Sequence, residues 1–227
     1  MVGCPFIVYS AQVMSQPDSV LLVMPIAGHA IRVRQVEEHI IPTSGKPLVT
    51  EGREKIIWRD PVGRMRIELL PNADRESHTG TITLLDPVMG ALTILDPSSK
   101  TAVRVVGAVL SNQSGFLLPR FDTIVPTAEW TTATDSIEPR SIAGFMFTGT
   151  RITHVSPGSN PSTVIYEWWM SNTCGLIAEA SATAFGETRR YMLAKYEWNA
   201  KMTTDVFSIP LDYTTQDIVM PKPTKHR

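Results

Sequence analysis

The sequence predicts an all-β fold with little α-helix, in which an antiparallel sheet curves strongly or closes only partly into a β-barrel. Apolar and polar residues alternate with period two along most of the chain, whereas a helical period is weak. Three Asp-Pro turns separate short runs of β-forming residues, as in an antiparallel meander. These runs amount to about ten to twelve strands, which suits one curved sheet.

The composition predicts a single β-rich domain over residues 1–227. Hydrophobic residues make up 43% of the chain and charged residues 19%, which supplies enough apolar surface for a core. The 21 basic and 22 acidic residues give a formal net charge of −1. No nucleic acid partner is expected, because nucleic-acid binders usually carry a clear basic excess. No apolar run approaches the roughly 20 residues of a membrane helix, so no transmembrane segment is expected.

The first strands are predicted at residues 6–14 and 31–36, followed by a turn at residues 43–47. The alternation of apolar and polar residues is clearest at residues 31–36, as in a strand with one buried face.

A hairpin is predicted where strands at residues 55–59 and 64–69 flank an Asp-Pro-Val-Gly segment at residues 60–63. The segment fits a type I turn, because Pro pre-sets φ and the Asp side chain can bond back to the backbone. Charged residues alternate with apolar ones here and are expected on a solvated outer face: Glu51, Arg53, Glu54, Lys55, Arg59, Arg64, Arg66 and Glu68.

The Asp-Pro pattern recurs at residues 86–87 and 96–97. Short β-type runs flank both turns, which extends the meander with strands at residues 81–85, 92–95 and 102–106.

Residues 107–136 interrupt this rhythm with two prolines and scattered Ser and Thr. They are predicted to form a linker, a lid over one opening of the sheet, or a poorly patterned helix packed on the sheet. Alternation then returns, with a polar tail expected at residues 214–227. The remaining strands are predicted at residues 140–155, 163–170, 176–181, 188–196 and 207–213.

Three blocks resemble, in the same order, segments of a large group of exported bacterial proteins, mostly acidobacterial, with no established function. The first block runs from Trp58 to Glu68, and the second joins residues 86–90 to residues 94–102. The third block contains four short segments, at residues 149–151, 167–169, 185–187 and 206–213. The resemblance covers nearly the whole chain and implies an exported protein.

The strand meander and the Phe-x-x-Pro run at residues 207–210 resemble, more weakly, the half-barrel fold of periplasmic lipoprotein carriers. This resemblance implies an apolar concavity that binds acyl chains under a helical lid. It transfers no activity, since one fold serves many functions.

The first residues contain neither the charged region nor the apolar region of a signal peptide. A cytoplasmic protein and a mature exported segment without its leader are both compatible with this start. The resemblance favours the second, with a periplasmic or extracellular location.

Six aromatic and Met side chains are candidates for contact with a ligand. They come in pairs on three predicted strands, where alternate residues share a face. The pairs are Phe145 and Phe147, Tyr166 and Trp168, and Met192 and Tyr196, the last with Ala194 and Trp198 beside them. On the concave side of a curved sheet they would form either an ordinary core or the wall of an apolar cavity. Both alternatives need inward apolar side chains, so the pattern leaves both open.

No catalytic residue, metal ligand or cofactor is predicted. None of the five histidines stands in HxH or HExxH spacing, and no GxSxG segment occurs. A metal site assembled from distant strands, such as His39 and His154 with Glu38, stays an alternative. Cys4 and Cys174 form either one disulfide or two separate thiols.

The leading hypothesis is an exported, non-enzymatic module that binds a hydrophobic ligand such as a lipid, or a protein partner. A hydrolase or metal-dependent enzyme with a site assembled from distant strands is the first alternative. The second is a structural homo-oligomer whose exposed sheet edges pair between copies.

Overall fold

The computed structural model describes residues 21–25, 27–70, 80–107 and 129–219. These residues form one twelve-stranded sheet and a 3-10 helix at Thr204–Phe207. The predicted all-β class is confirmed. The sheet has two separate edge strands and does not close into a barrel. The strand predicted at residues 6–14 lies outside the described residues.

The described strands alternate in direction over most of the sheet. They are β1 (Ile31–Ile41), β2 (Leu48–Arg59), β3 (Met65–Leu69), β4 (Ile82–Asp86), β5 (Ala91–Asp96), β6 (Thr101–Val106), β7 (Thr131–Ile142), β8 (Phe145–Val155), β9 (Thr163–Ser171), β10 (Leu176–Ala184), β11 (Glu187–Trp198) and β12 (Thr214–Val219). Their order is β12-β6-β5-β4-β3-β2-β1-β11-β10-β9-β8-β7. Only β12 and β6 run parallel. β1 joins the two halves of the sheet through its pairing with β11.

The three Asp-Pro turns fold as predicted. Oδ1 of Asp60 accepts the backbone N–H groups of Val62 at 3.0 Å and of Arg64 at 2.9 Å. The side chains of Asp86 and Asp96 accept the N–H groups two and three residues further along. These turns connect β2 to β3, β4 to β5 and β5 to β6, so this part of the meander is confirmed.

Two strands form where the sequence predicts none. β7 begins inside the segment 107–136 that is predicted as a linker or lid, and β12 occupies the start of the predicted tail at residues 214–227. Both are edge strands with mostly exposed side chains, so no apolar period marks them. Residues 108–128 and 220–227 lie outside the described residues.

The strand predicted at residues 207–213 is wrong. A turn at residues 211–212 follows the 3-10 helix and leads into β12. Ile209 and Tyr213 pack across the sheet instead, on a small second core of Leu84, Leu95 and Ala102. A segment that packs on a sheet from outside also needs apolar side chains at a regular spacing. The alternation at residues 207–213 therefore resembles that of a strand.

The strand register gives the sheet an apolar face and a polar face, because directly paired residues of antiparallel strands project to the same side. The apolar face carries much of the main core, including the fully buried Ile31, Val33, Ile57 and Met65. The polar face carries ion pairs between neighbouring strands, among them Arg190–Glu38, Arg151–Glu167 and Arg104–Asp217.

The predicted solvated face of the first hairpin is wrong for two of its charged residues. Lys55 and Arg59 lie on the apolar face, where they pair with Gln35 and Ile31 of β1, and both are buried. Apolar residues occupy both faces of β2 near its end, so alternation alone does not identify the side that meets the core.

Candidate ligand-binding site

An aromatic cluster lies at one end of the sheet. It consists of Phe145 at the start of β8, Tyr196 and Trp198 at the end of β11, and His29 just before β1. The ring centroids of Phe145 and Trp198 are 4.4 Å apart, and those of Tyr196 and Trp198 are 6.2 Å apart. His29 approaches the rings of Phe145 and Trp198 edge-on. None of the four residues is fully buried, so the cluster keeps surface that another molecule can contact.

A fully buried guanidinium, that of Arg59, lies on the same side of the sheet. Its Nη2 donates to the carbonyls of Cys174 at 2.8 Å and His29 at 3.3 Å, and its Nη1 to those of Met24 at 3.1 Å and Gly175 at 3.2 Å. Burial lowers the pKa of Arg59, but a guanidinium keeps its proton in a protein. Among its described hydrogen-bond partners the cation meets backbone dipoles and no carboxylate.

Two buried N–H donors on this side have no hydrogen-bond partner among the described residues: Nε of Arg59 and Nε1 of Trp198. The register places these residues on either side of Ile31, which pairs with both. Burial raises the pKa of Tyr196 to about 12, so its hydroxyl is protonated at neutral pH. A buried donor without an acceptor costs about 1–3 kcal/mol. The cluster therefore favours a molecule that brings an acceptor.

The chain before β1 is fastened beside the start of β10. The backbone N–H of Leu22 donates to Oε1 of the buried Gln35 at 3.1 Å, and the carbonyl of Leu22 accepts from the N–H of Ile177 at 2.8 Å. The N–H of Met24 donates to the carbonyl of Gly175 at 3.0 Å. Because Arg59 binds the carbonyls of both Met24 and Gly175, it holds this segment and the turn before β10 together.

The six predicted contact residues do not form one group. Phe145 and Tyr196 belong to the aromatic cluster, whereas Phe147 is fully buried in the main core. Trp168 and Tyr166 are half-buried on the apolar face, where they pair with small alanines of β10. Contact of any of these residues with a ligand stays a prediction.

The sixth candidate, Met192, lies on the opposite face of the sheet from Tyr166 and Trp168. It pairs with Glu179 of β10, the neighbour of the alanine that pairs with Trp168. The register of β11 also shifts between Met192 and Tyr196, at Lys195, whose φ is 53°. The extra residue reverses which side chains point inward, so the prediction that Met192 and Tyr196 share a face is wrong.

Sequence reasoning missed the roles of His29 and Arg59 at this site. Trp198 has a signal, because it stands two residues after Tyr196 on the same strand. His29 precedes the first predicted residue of its strand and therefore lies outside any alternating pattern. Arg59 has the charge and spacing of a surface residue, and only the turn and segment packed on it make it buried.

In the described part of the chain, the two histidines of the enzyme hypothesis contact different residues. Nε2 of His39 lies 3.1 Å from Oε2 of Glu187, and Nδ1 of His154 lies 2.9 Å from the hydroxyl of Thr132. No group of three or more His, Cys, Asp or Glu side chains in that part could hold a metal ion. Cys174 is a buried free thiol, and Cys4 lies outside the described residues.

No helix among the described residues has the length and apolar character needed to cross a membrane.

No protein-family model and no curated protein sequence matches the chain. Among solved structures, it is similar to an uncharacterized conserved protein from Thermus thermophilus, with 9% identity, 92% of this chain and 99% of that chain covered, and a TM-score of 0.45. A chain of the MucA/MucB complex from Pseudomonas aeruginosa shares 14% identity over 84% of this chain and 59% of its own, with a TM-score of 0.42. A LolA superfamily protein from Nitrosomonas europaea shares 10% identity over 87% and 97%, with a TM-score of 0.34.

A member of the LolA superfamily is among these structural neighbours. The resemblance to acidobacterial proteins stays a prediction. Because the TM-scores are low, nothing about the function of this chain follows from the neighbours.

Proposed function

We propose that the chain is an exported, non-enzymatic module that binds a hydrophobic molecule carrying a hydrogen-bond acceptor, such as a fatty acid or another lipid. The observation that supports this proposal is the buried Nε1 of Trp198, without a partner among the described residues, inside a cluster of incompletely buried aromatic rings. Aromatic and aliphatic surface supplies most of the affinity in such sites, and a few polar groups fix the orientation.

The arrangement differs from an ordinary core in two respects. Core indoles usually find an acceptor within the protein, because an unsatisfied N–H is expensive when buried. The rings of Phe145, Tyr196 and Trp198 also stay partly accessible, although other apolar residues of the same face are fully buried. A bound acyl chain would cover this surface while its carbonyl or carboxylate accepted a hydrogen bond from the indole N–H.

Export belongs to the proposal and is supported by the sequence resemblance. Detection of the protein in the periplasmic or extracellular fraction tests it. A protein partner and self-assembly through the exposed edge strand β7 remain predictions of the sequence.

Trp198→Phe is expected to weaken the binding of oleate about five- to tenfold. The substitution keeps an aromatic ring and removes the N–H, and one hydrogen bond to a charged acceptor contributes about 1.5 kcal/mol or somewhat less when partly solvated. Isothermal titration calorimetry of the purified protein with oleate gives the affinity. Heptadecene, which has an apolar chain and no carboxylate, is expected to bind both forms equally.

Trp58→Phe is the matched control, because Trp58 lies on the polar face between the guanidinium groups of Arg32 and Arg66. The control should bind oleate like the unmodified protein. Equal oleate affinity in Trp198→Phe and Trp58→Phe, or no binding of oleate by the unmodified protein, would contradict the proposed site.

A further inference from the structure

Two neighbouring hairpins form an exposed apolar tip at the end of the sheet opposite the aromatic cluster. The turn at residues 42–47 joins β1 to β2, and the turn at residues 185–186 joins β10 to β11. β1 pairs with both β2 and β11, which brings the turns side by side. A Cβ atom added to Gly186 would lie 3.3 Å from Cγ of Pro42, so the turns are in contact.

The tip, defined as Ile41, Pro42, Leu48, Val49 and Phe185, presents large apolar side chains to solvent. Phe185 is 74% exposed, Leu48 51% and Val49 50%. Leu48 and Val49 begin β2 and project to its two faces, so the tip is apolar on both sides. Single exposed apolar residues are common on protein surfaces, but several around two turns in contact point to an interaction site.

The backbone at Phe185 is held in a conformation that its side chain disfavours. Its φ is 52°, in the left-handed region, and Gly186 follows with φ 82°. Two-residue hairpin turns of this kind favour Asn, Asp or Gly at both central positions, because a bulky side chain is strained there. The chain therefore displays an aromatic ring at a place where Asn would make a more stable turn. Strain of this kind in a native structure points to a function for the residue.

The shape and charge of the tip suit a lipid bilayer better than a folded protein. Stable protein interfaces bury about 800 Å² on each partner over fairly flat surfaces, and two adjoining turns form a small, convex surface. A fluid bilayer accommodates such a protrusion, and aromatic rings are favoured at the level of the headgroups.

The polar groups around the tip are compatible with this contact. Oε2 of Glu187 lies within hydrogen-bond distance of Nε2 of His39, at 3.1 Å, so this carboxylate has a partner within the chain. Lys46 lies on the same turn as Pro42 and makes no ion pair with another described residue. Its ammonium group is therefore available to lipid phosphates, with an added attraction from anionic lipids.

We propose that this tip inserts into the headgroup region of a lipid bilayer, with Phe185 as the principal apolar contact and Lys46 as a contact to phosphate. The inference does not depend on the proposed ligand, because the aromatic cluster lies at the other end of the sheet. For a module that carries a hydrophobic molecule, the tip would supply a place of contact with the membrane.

Phe185→Asn is expected to lower the partition coefficient of the full chain onto phosphatidylcholine vesicles about tenfold. The value follows from the loss of one largely buried aromatic side chain at the membrane surface. Co-sedimentation with the vesicles measures it. The same variant should have an unchanged or higher melting temperature, because Asn tolerates the left-handed conformation, so a loss of binding cannot be assigned to unfolding.

Val88→Asn is the matched control for exposed apolar surface. Val88 is 73% exposed on the turn between β4 and β5, which the strand directions place at the opposite end of the sheet. This variant should bind vesicles like the unmodified protein. Lys46→Gln should weaken binding about fivefold on vesicles with phosphatidylglycerol and little on pure phosphatidylcholine.

Equal partitioning of Phe185→Asn and the unmodified chain would overturn the proposal, as would failure of the unmodified chain to bind either kind of vesicle. Sedimentation of the protein without vesicles shows whether a second copy of the chain binds the tip instead of a bilayer. If Phe185→Asn converts a dimer into a monomer, the tip is a contact between copies and the membrane proposal is wrong. Oleate binding by Phe185→Asn should stay unchanged in every case, so this test is independent of the proposed ligand site.

Discussion

Arg59→Met is expected to lower the free energy of unfolding by about 4 kcal/mol. The side chain is fully buried and donates to four carbonyl groups, which belong to the segment before β1 and to the turn before β10. Met fills much of the same volume but leaves these carbonyls without their donor. Each unsatisfied buried group costs about 1–3 kcal/mol, and loss of a buried network falls in the upper range of single substitutions.

Equilibrium unfolding in urea measures this change. Arg32→Met is the matched control, because Arg32 stands on the opposite side of neighbouring β1 and forms an exposed ion pair with Glu197. Such pairs contribute about 0–1 kcal/mol. Arg59→Lys should resemble Arg59→Met more than the unmodified chain, because an ammonium group lacks the planar fork that reaches carbonyls on two segments. A loss below about 1 kcal/mol in Arg59→Met would show that the segments are held by other contacts.

The correct parts of the fold prediction depend on signals that are local in the sequence. The alternation at residues 31–36 and the Asp-Pro turns both report geometry within a few residues, and Asp60, Asp86 and Asp96 make their predicted bonds within the turn itself. β7 and β12 give no such signal. Both edge strands are exposed on both sides, and their pairing with β8 and β6 is decided by partners distant in the chain.

The candidate site was predicted only in part, for a reason that concerns strand register. The ring of Trp198 contacts the rings of both Phe145 and Tyr196. Tyr196 and Trp198 stand two residues apart on one strand, which is the spacing that the prediction used. The bulge at Lys195 inserts one residue, so Met192 projects to the other face. A bulge has no sequence signal when the residue in it is an ordinary Lys. The burial of Arg59 likewise depends on the segment before β1 and the turn before β10, which no pattern in β2 reveals.

The stability of the protein is expected to rise between about pH 8 and pH 10 because of Lys55. Burial on the apolar face lowers the pKa of Lys55 to about 8, against the partial opposition of Glu37. The unfolded chain, with the ordinary value of 10.5, binds a proton in this interval that the folded chain does not bind. The free energy of unfolding therefore increases with pH across the interval, and the full difference corresponds to about 3 kcal/mol.

Urea unfolding at pH 7, 8, 9 and 10 measures this dependence, and Lys55→Met should abolish it. The Met variant should also be more stable than the unmodified chain at pH 7, where the buried ammonium is charged and costly. Lys100→Met is the control, because Lys100 is an exposed partner of Asp212 and its pKa is raised, not lowered. Above pH 10 the sign reverses for Tyr196, whose raised pKa makes the folded state hold its proton longer. Stability should then fall in both the unmodified chain and Lys55→Met. A flat profile from pH 8 to pH 10 in the unmodified chain would mean that Lys55 is hydrated or paired well enough to keep its ordinary pKa.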